Sequence, residues 1–292
     1  PLNTVIEHTR AVLLGEDGPP IYDVRTNEGF LRHLLLRMGV RTGEVMAVLF
    51  TAPPQSDAES DVALRWGEHI HGLSLPDGAV IRSVQWASNE GVADVARGAT
   101  EKTWGAPFIH EQLGGVDFQL SRTAFFQTHT EAAEVLYDTI GDALGDARGT
   151  LLDLYCGTGS IGLYLADRFD RVIGIEEREP AVVDARNNAE RSGVSATFTA
   201  GRVEHHLNEL AVPGASIVVD PPRVGLHPKV AENLANADAS HLVYVACKAQ
   251  SLGRDALLLA KGHWRLTDLW CVDMFPHTGH IEVVGRFERA TG

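Results

Sequence analysis

The segment TLLDLYCGTGSIG, residues 150–162, decides the fold class of this chain. An apolar run leads into a glycine-rich turn and then into a helical pattern, as in a buried strand, a loop and a helix. Gly157 and Gly159 allow the backbone to turn tightly at the end of the strand and to approach a ligand closely. In an open parallel sheet, such a ligand binds outside the carboxyl ends of the strands.

Downstream of this segment, short apolar runs alternate with helical patterns. Strands are predicted within RVIGIEE (171–177), ATFTAG (196–201), ASIVVD (215–220) and HLVYVACK (241–248). Such alternation, with near-continuous apolar strands, predicts a parallel sheet with covered faces. The last segment, VDMFPHTGHIEVVGRFER (272–289), is predicted to add an antiparallel hairpin at the edge of that sheet. Residues 121–292 are therefore expected to form a doubly wound α/β domain.

The first part of the chain has a different pattern. A helical stretch from Asp57 to His71 lies between two strand-like runs, VMAVLFT and AVIRSVQWAS. FIHEQLGG followed by VDFQLS predicts a hairpin with Gly114-Gly115 at its turn. Residues 1–120 are therefore expected to form a smaller α+β domain.

The composition is that of a globular protein, because 44% of the 292 residues are hydrophobic and 22% are charged. No apolar run approaches the ~20 residues of a membrane-spanning helix, so no membrane association is expected. Three cysteines are too few for a disulfide framework and lack metal-ligand spacing, which favours the cytoplasm and no bound metal. The net charge of −14 argues against generic binding of nucleic acid, DNA included. An RNA partner would have to be held by a local patch or by base-specific contacts.

Two acidic residues lie at the ends of further predicted strands. Glu176 ends the strand after the glycine loop, about twenty residues on, where an acid can accept hydrogen bonds from both hydroxyls of a ribose. Asp220 precedes two prolines, which stiffen the following loop and aim the carboxylate into the crevice. Because Gly162 completes a G-x-G-x-x-G spacing, a dinucleotide such as NAD stays open on these residues alone.

Cys247 and Glu282 are the candidate reactive groups. Cys247 ends a strand beside a predicted helix start and next to Lys248, which predicts a pKa below the ~8.5 of a free thiol. A lone cysteine at such a position can instead be a small buried hydrophobe. Glu282 enters a strand after a loop rich in proline and glycine, where burial would raise its pKa from ~4.3 and favour a general base. The nearby His277 and His280 suit a metal site, but no further ligand set accompanies them.

Five ordered motifs resemble the S-adenosylmethionine-dependent RNA uracil-C5 methyltransferases, the TrmA/RumA family of tRNA and 23S rRNA enzymes. The motifs are Phe125-Phe126-Gln127, Asp153-Leu-Tyr-Cys-Gly-Thr-Gly, Asp220-Pro-Pro-Arg-x-Gly-Leu, the strand-end Cys247 followed by Arg254-Asp255, and Asp273-Met-Phe-Pro-His-Thr-x-His-x-Glu282. The resemblance covers roughly residues 25–290 and is strongest after Ser121.

The resemblance implies a C-terminal Rossmann-like class I methyltransferase domain that methylates C5 of a uridine in tRNA or 23S rRNA. It implies that Cys247 adds to C6 of the uracil and that Glu282 removes the C5 proton. The residues implied to contact S-adenosylmethionine or to orient the base are Gln127, Tyr155, Glu176 and Asp220, beside the glycine loop with Gly157 and Gly159. Phe125 or Phe126 is the expected stacking partner of a uridine flipped out of its RNA.

The chain departs from the family pattern at two places in the site. It reads Ala246-Cys247-Lys248-Ala249 where the family usually has Ser-Cys-Asn-Pro, and His129 stands where an asparagine is usual. Both departures would alter the rate or the orientation of the base. The family's OB-like RNA-binding domain is not visible in the sequence, so the first half is expected to grip RNA. Arg32 and Arg37 form its candidate basic patch, and a strand with an arginine-lined solvent face is the alternative.

Three other functions stay open on the sequence. An amino-group methyltransferase is disfavoured by Arg223, which stands where an aromatic residue would stack on the base. A cytosine-C5 enzyme is disfavoured because no cysteine lies beside the prolines after Asp220. A non-catalytic RNA-binding protein that retains the fold is disfavoured by the intact Cys247 and Glu282. The sequence does not choose between tRNA and rRNA, and we expect a monomer.

Overall fold

The computed structural model describes residues 1–15, 18–206 and 213–289, and the chain divides into two compact units. The first unit comprises Pro1–Gln112 and Gln119–Thr123, and the second comprises Leu113–Phe118 and Ala124–Gly292. No helix among the described residues is both long and apolar enough to span a membrane.

The first unit is built on a four-stranded sheet in the order β1-β2-β3-β4. Its elements are α1 (Leu2–Leu13), β1 (Leu31–Met38), β2 (Glu44–Thr51), α2 (Asp57–His71), a short 3-10 helix (Pro76–Gly78), β3 (Val80–Ser88) and β4 (Ala99–Gly105). Strands β2 and β3 are parallel, whereas the two outer pairings are antiparallel. This unit therefore has the predicted α+β character, with α1 and β4 as elements that the sequence patterns did not indicate.

Helix α2 has the predicted bounds because its start and its apolar face are both encoded locally. Ser56 caps it by accepting a hydrogen bond from the backbone N–H of Glu59 (3.3 Å). Ala63, Trp66 and Ile70 are spaced to share one face of the helix, and all three are fully buried. The indole N–H of Trp66 donates to the hydroxyl of Thr9 on α1 (3.0 Å), so the buried polar atom is satisfied.

The chain passes from one unit to the other through the predicted hairpin. Strands β5 (Phe108–Leu113) and β6 (Val116–Ser121) form a two-stranded sheet. Gly114 and Gly115 form its turn with φ of +55° and +82°, a region that costs glycine little.

The second unit contains a seven-stranded sheet in the order β12-β13-β11-β10-β7-β8-β9. Its strands are β7 (Thr150–Leu154), β8 (Arg171–Glu176), β9 (Ala196–Ala200), β10 (Ala215–Val219), β11 (Ala239–Ala246), β12 (Trp264–Val272) and β13 (Glu282–Arg289). Its helices are α3 (Thr130–Ala143), α4 (Ser160–Tyr164), α5 (Glu179–Ser192), α6 (Val203–His206), α7 (Pro228–Ala235) and α8 (Ala249–Leu259), with a short 3-10 helix at Ala166–Arg168. Strands β7 to β11 pair in parallel, which confirms the predicted α/β fold.

The strand order leaves a position at the carboxyl ends of the parallel strands where a ligand can bind. From β7 the chain continues to β8 and β9 on one side, whereas β10 and β11 lie on the other side. The order therefore reverses between β7 and β10, and ligands of doubly wound sheets bind outside the carboxyl ends of the strands at such a point. Helices α7 and α8 pack Val230 and Leu252 into the same buried cluster as Ile217 and Tyr244 of the sheet.

The chain ends in the predicted antiparallel hairpin at the edge of the sheet, but its first strand, β12, lies almost entirely before the predicted segment 272–289. Strand β13 lies between β11 and β12, so β12 is the edge strand and residues 273–281 connect the two. The reason is hydrophobicity: the first four residues of β13 are all buried, whereas most of β12 is exposed or half-buried. Burial between two neighbouring strands stabilises an apolar strand more than it stabilises an amphipathic one.

Candidate active site

The sheet register brings Cys247 and Glu282 together. Cys247 follows the last residue of β11, Glu282 is the first residue of β13, and the two strands are antiparallel with Ala246 paired to Val283. The next position of this register places Cys247 opposite Glu282. Both lie at the edge of the sheet where the parallel strands end, because β13 runs in the opposite direction.

Asp220 reaches the same edge from the neighbouring strand. It directly follows Val219 of β10, which pairs with Leu154 of β7 and Tyr244 of β11. Asp220 and Glu282 both raise the pKa of the Cys247 thiol. The two predicted reactive groups and one predicted binding residue are thus neighbours within the second unit.

The expected low pKa of Cys247 is wrong. Burial raises the pKa of the thiol, and the negative charges of Glu282 and Asp220 raise it further. Arg223 lowers it, but by less than these effects together. Lys248, which was expected to favour the thiolate, is an exposed residue at the N-terminus of α8.

The two carboxyl groups beside Cys247 hold protons more tightly than ordinary carboxyls. Glu282 is only 5% exposed, and burial raises its pKa, as the sequence predicted. Burial, Glu282 and Asp153 together raise the pKa of the half-buried Asp220 to about 8. A carboxyl tuned in this way can accept and release a proton near neutral pH.

The glycine loop after β7 leaves open space beside its backbone. Gly157 adopts φ +55°, and a Cβ there would meet nothing within 4 Å. Its N–H donates to Glu176 Oε2 (3.2 Å), which connects the loop to the end of β8. Tyr155 has φ +66°, a conformation that costs a non-glycine residue energy and that clusters at functional sites.

Asp153, the first residue of the Asp153–Gly159 motif, is a further candidate site residue, and no role was predicted for it from the sequence. It is fully buried in β7, and its Oδ2 accepts a hydrogen bond from Gly162 N–H (2.9 Å). Among the residues that the structure describes, its Oδ1 has no hydrogen-bond partner, and burial raises the pKa of Asp153 to about 7. The signal in the sequence was an acid inside an apolar strand, because a buried carboxyl without a partner is costly.

A cleft of about 370 Å³ lies along the carboxyl ends of the parallel strands. Tyr155 after β7, Glu177 after β8 and Arg202 after β9 line it, together with Pro222 and residues 224–228 after β10. The hydroxyl of Tyr155 forms a hydrogen bond with the backbone of His227. Gln127 is half-buried three residues before α3, and its predicted role in binding stays a prediction.

The two predicted stacking residues differ in exposure. Phe125 is 63% exposed, and its carbonyl accepts a hydrogen bond from the Thr158 hydroxyl (3.4 Å) of the glycine loop. Phe126 is buried, with its ring centroid 5.4 Å from that of Phe118. The structure therefore disfavours Phe126 as a stacking partner and leaves Phe125 as the candidate.

In the first unit, the guanidinium of Arg32 forms hydrogen bonds with backbone carbonyls of a neighbouring loop. Its guanidinium donates to the carbonyls of Asn89 (3.1 Å), Gly91 (2.6 Å) and Ala93 (2.7 Å) and lies 4.2 Å above the ring of Tyr22. These contacts give Arg32 a structural role in fixing that loop. The predicted basic patch therefore depends on the half-buried Arg37 of the same strand.

Among residues 1–15, 18–206 and 213–289, no group of three or more histidine, cysteine or acidic side chains could hold a metal ion.

Comparisons with known proteins point to one family. The family model described as tRNA (uracil-5-)-methyltransferase matches residues 106–289. An uncharacterized RNA methyltransferase of Caldanaerobacter subterraneus is 34% identical over 278 residues, which cover 94% of this chain and 60% of that protein. The tRNA (uracil(54)-C(5))-methyltransferase of Pyrococcus horikoshii is 34% identical over 276 residues, covering 93% and 61%.

A solved structure shows the same similarity. The crystal structure of the Pyrococcus abyssi tRNA (uracil-54, C5)-methyltransferase in complex with S-adenosyl-L-homocysteine superposes with a TM-score of 0.78 at 31% identity. The match covers 97% of this chain and 66% of that chain. The chain spans about 60% of the length of the curated relatives it matches.

Proposed function

Because the chain belongs to the tRNA (uracil-5-)-methyltransferase family, we propose that it transfers a methyl group from S-adenosyl-L-methionine to C5 of a uridine in RNA. The observation that carries this proposal is the pairing of Cys247 with Glu282 beside Asp220 at the ligand-binding edge of the sheet. The two Pyrococcus relatives are named as methyltransferases of uracil 54 in tRNA, which favours tRNA over 23S rRNA as the substrate. We further propose that the protein works in the cytoplasm as a monomer.

The residues at the sheet edge fit this cofactor. When bound, S-adenosyl-L-methionine supplies a methyl group on a positively charged sulfur, and it also carries an ammonium group. A bound cation would favour the charged forms of Asp220 and of the buried Asp153, whose Oδ1 has no hydrogen-bond partner among the described residues. We infer that Glu176 accepts hydrogen bonds from the ribose hydroxyls beside the open space at Gly157. Tyr155, Gly159 and Gln127 complete the proposed cofactor site.

Cys247 and Glu282 divide the proposed chemistry between them. The thiolate of Cys247 adds to C6 of the uracil, and the electrons of the C5–C6 double bond move toward C5 and the O4 carbonyl as an enolate. C5 then forms a bond to the methyl carbon and becomes tetrahedral, while the bond between the methyl carbon and the sulfonium sulfur would break and leave its electron pair on the sulfur. The Glu282 carboxylate removes the C5 proton, the electrons of that C–H bond restore the double bond, and the Cys247 thiolate leaves from C6.

A uridine stacked inside folded RNA cannot reach Cys247, so the base has to leave its stack. The exposed ring of Phe125 is the proposed surface on which the flipped base or its neighbour stacks. The backbone carbonyl of Phe125 accepts a hydrogen bond from Thr158 of the glycine loop, so this residue lies next to the proposed cofactor site.

The proposal is tested with tRNA that contains 5-fluorouridine, incubated with S-adenosyl-L-methionine and separated on a denaturing gel. Fluorine cannot leave as a proton, so the protein should stay joined to the RNA through Cys247 and shift its band. Cys247→Ala should abolish the shifted band, whereas Cys271→Ala, an exposed cysteine on β12, should keep it. A protein that binds the cofactor but gives no band with tRNA or rRNA would contradict uracil-C5 chemistry.

A binding-only protein is the second candidate function. The observation that favours it is the raised pKa of Cys247, together with Lys248 and Ala249 in place of the usual residues. Such a protein would retard RNA on a native gel and would form no covalent band under any of these conditions.

A further inference from the structure

Three hydrogen bonds join helix α8 to the loop that carries Asp220 and Arg223. The bonds run from Ser251 Oγ to the Arg223 carbonyl (2.9 Å), from Arg254 Nη2 to the Val224 carbonyl (2.8 Å) and from Leu226 N–H to Asp255 Oδ2 (2.7 Å). Positions 251, 254 and 255 lie on one face of a helix. We call Ser251, Arg254 and Asp255 the α8 clamp. It binds three of the four residues from 223 to 226.

Asp255 is the centre of the clamp. Its side chain is fully buried, and it also accepts hydrogen bonds from the Tyr244 hydroxyl (2.7 Å) and from Arg254 Nε (2.8 Å). Tyr244 lies on β11, the strand that leads into Cys247. One buried carboxylate therefore connects the loop of Asp220 to the strand of Cys247. The hydrogen-bond donors around this carboxylate compensate for the free energy that burying its charge would otherwise cost.

Gly225 gives a second, independent sign that the loop is fitted to the helix. It adopts φ +86°, and a Cβ there would lie 2.3 Å from Arg254 Nη2 and 2.5 Å from Asp255 Oδ2. The loop backbone thus approaches the clamp more closely than any residue with a side chain would allow. Because its backbone packs this closely against α8, the loop is held in a fixed position.

We propose that Asp255 is a positioning residue that sets the place of Asp220 and Arg223 relative to Cys247, a role that rests on the proposed methyl transfer. None of the hydrogen bonds described above joins the clamp to the Cys247 thiol or to the Glu282 carboxyl. It acts through the loop, since a rigid support is what keeps reacting groups in a productive geometry. Releasing one of its bonds lets the loop shift without removing any reacting group.

Asp255→Asn is the main test, because asparagine has the same shape but no longer supplies two acceptor oxygens. A misplacement of about 1 Å can cost on the order of 100-fold in rate, so kcat should fall about 10- to 100-fold with a small change in KM for S-adenosyl-L-methionine. Ser251→Ala removes a single hydrogen bond of the clamp and should lower kcat by less than Asp255→Asn does. Asp238→Asn is the matched control, because Asp238 is an exposed aspartate paired with Arg289 (3.1 Å).

A second readout is independent of the enzymatic activity. The pH midpoint for alkylation of Cys247 by iodoacetamide, followed by mass spectrometry of its peptide, reports the charges that face the thiol. These are Glu282 from β13 and Asp220 and Arg223 from the clamped loop, and Asp220 has the larger effect of the two loop residues. Release of the loop in Asp255→Asn and Ser251→Ala should therefore move the midpoint to lower pH, whereas Asp238→Asn should leave it unchanged.

The two readouts separate the possible failures. A lower kcat with an unchanged alkylation midpoint in both clamp variants would overturn the positioning role, because the loop would then have stayed in place. An unchanged kcat in Asp255→Asn at wild-type stability would overturn it as well. A wild-type protein without methyl transfer would refute the proposed function, whereas a shifted midpoint would still show that the clamp fixes the loop.

Discussion

Asp153→Asn should make the protein more stable at alkaline pH, because the native fold holds this carboxyl in a place that disfavours its charge. Burial raises the pKa of Asp153 from 3.8 to about 7. Between these two values the native state binds a proton that the unfolded state does not bind, so the free energy of unfolding falls as the pH rises from about 4 to about 7. At ~1.4 kcal/mol per pH unit, the charged form costs up to about 4 kcal/mol above pH 7.

Asparagine removes this cost because it is neutral at every pH. Its carbonyl can keep the hydrogen bond from Gly162 N–H, while its amide takes the position of the Oδ1 that has no partner. An unsatisfied buried amide costs about 1–3 kcal/mol, so the net gain at pH 8 should be about 1–3 kcal/mol. The same variant should bind S-adenosyl-L-methionine more weakly, since the buried charge would no longer face the cation.

Urea unfolding of both proteins at pH 4, 6 and 8 measures the effect. The difference in unfolding free energy between Asp153→Asn and the wild type should shift in favour of the variant as the pH rises. Asp238→Asn, which alters an exposed aspartate, should show a small difference that is the same at all three pH values. A difference for Asp153→Asn that does not change with pH would refute the assignment of a raised pKa to this carboxyl.

Glu282→Gln should accumulate a covalent complex with unsubstituted tRNA on a denaturing gel, because the C5 proton could no longer leave; free product and no complex would remove Glu282 as the base. Phe125→Ala should raise KM for RNA about 5- to 100-fold at unchanged cofactor affinity and stability, given ~1–3 kcal/mol per stacked base; an unchanged KM would exclude its ring from RNA contact. Phe126→Ala should instead lower the free energy of unfolding by about 3–5 kcal/mol in urea titrations, because its buried ring packs against Phe118. Equal stability losses for the two phenylalanine variants would contradict their different burial.

Features encoded within a few neighbouring residues could be predicted from the sequence. Helix α2 has its cap and its buried face in one stretch of chain, so its bounds from Asp57 to His71 were predicted correctly. The hairpin turn at Gly114-Gly115 was predicted correctly for the same reason. The parallel sheet of the second unit was predicted from the alternation of apolar strands and helices, but its strand order was not. Motif order along the chain was enough to place Cys247, Asp220 and Glu282 at strand ends.

Features decided by pairing between distant segments could not be predicted. The pattern of VDMFPHTGHIEVVGRFER indicates a strand, but only burial between β11 and β12 shows that β13 is an inner strand. The engagement of Arg32 was equally hidden, because its three acceptor carbonyls lie in a loop more than fifty residues away. A basic residue on a predicted strand therefore says little about RNA until its partners are known.

The pKa of Cys247 shows how strongly the distant segments decide the chemistry. Its local sequence, with Lys248 adjacent and a helix start behind it, favours a thiolate, yet burial, Glu282 and Asp220 together reverse this preference. A thiol surrounded by acids is a poor nucleophile in the free protein, and a cation bound among the same acids would offset their charge and lower the thiol pKa. S-adenosyl-L-methionine carries such a positive charge. Bound S-adenosyl-L-methionine is therefore expected to lower the pKa of the Cys247 thiol.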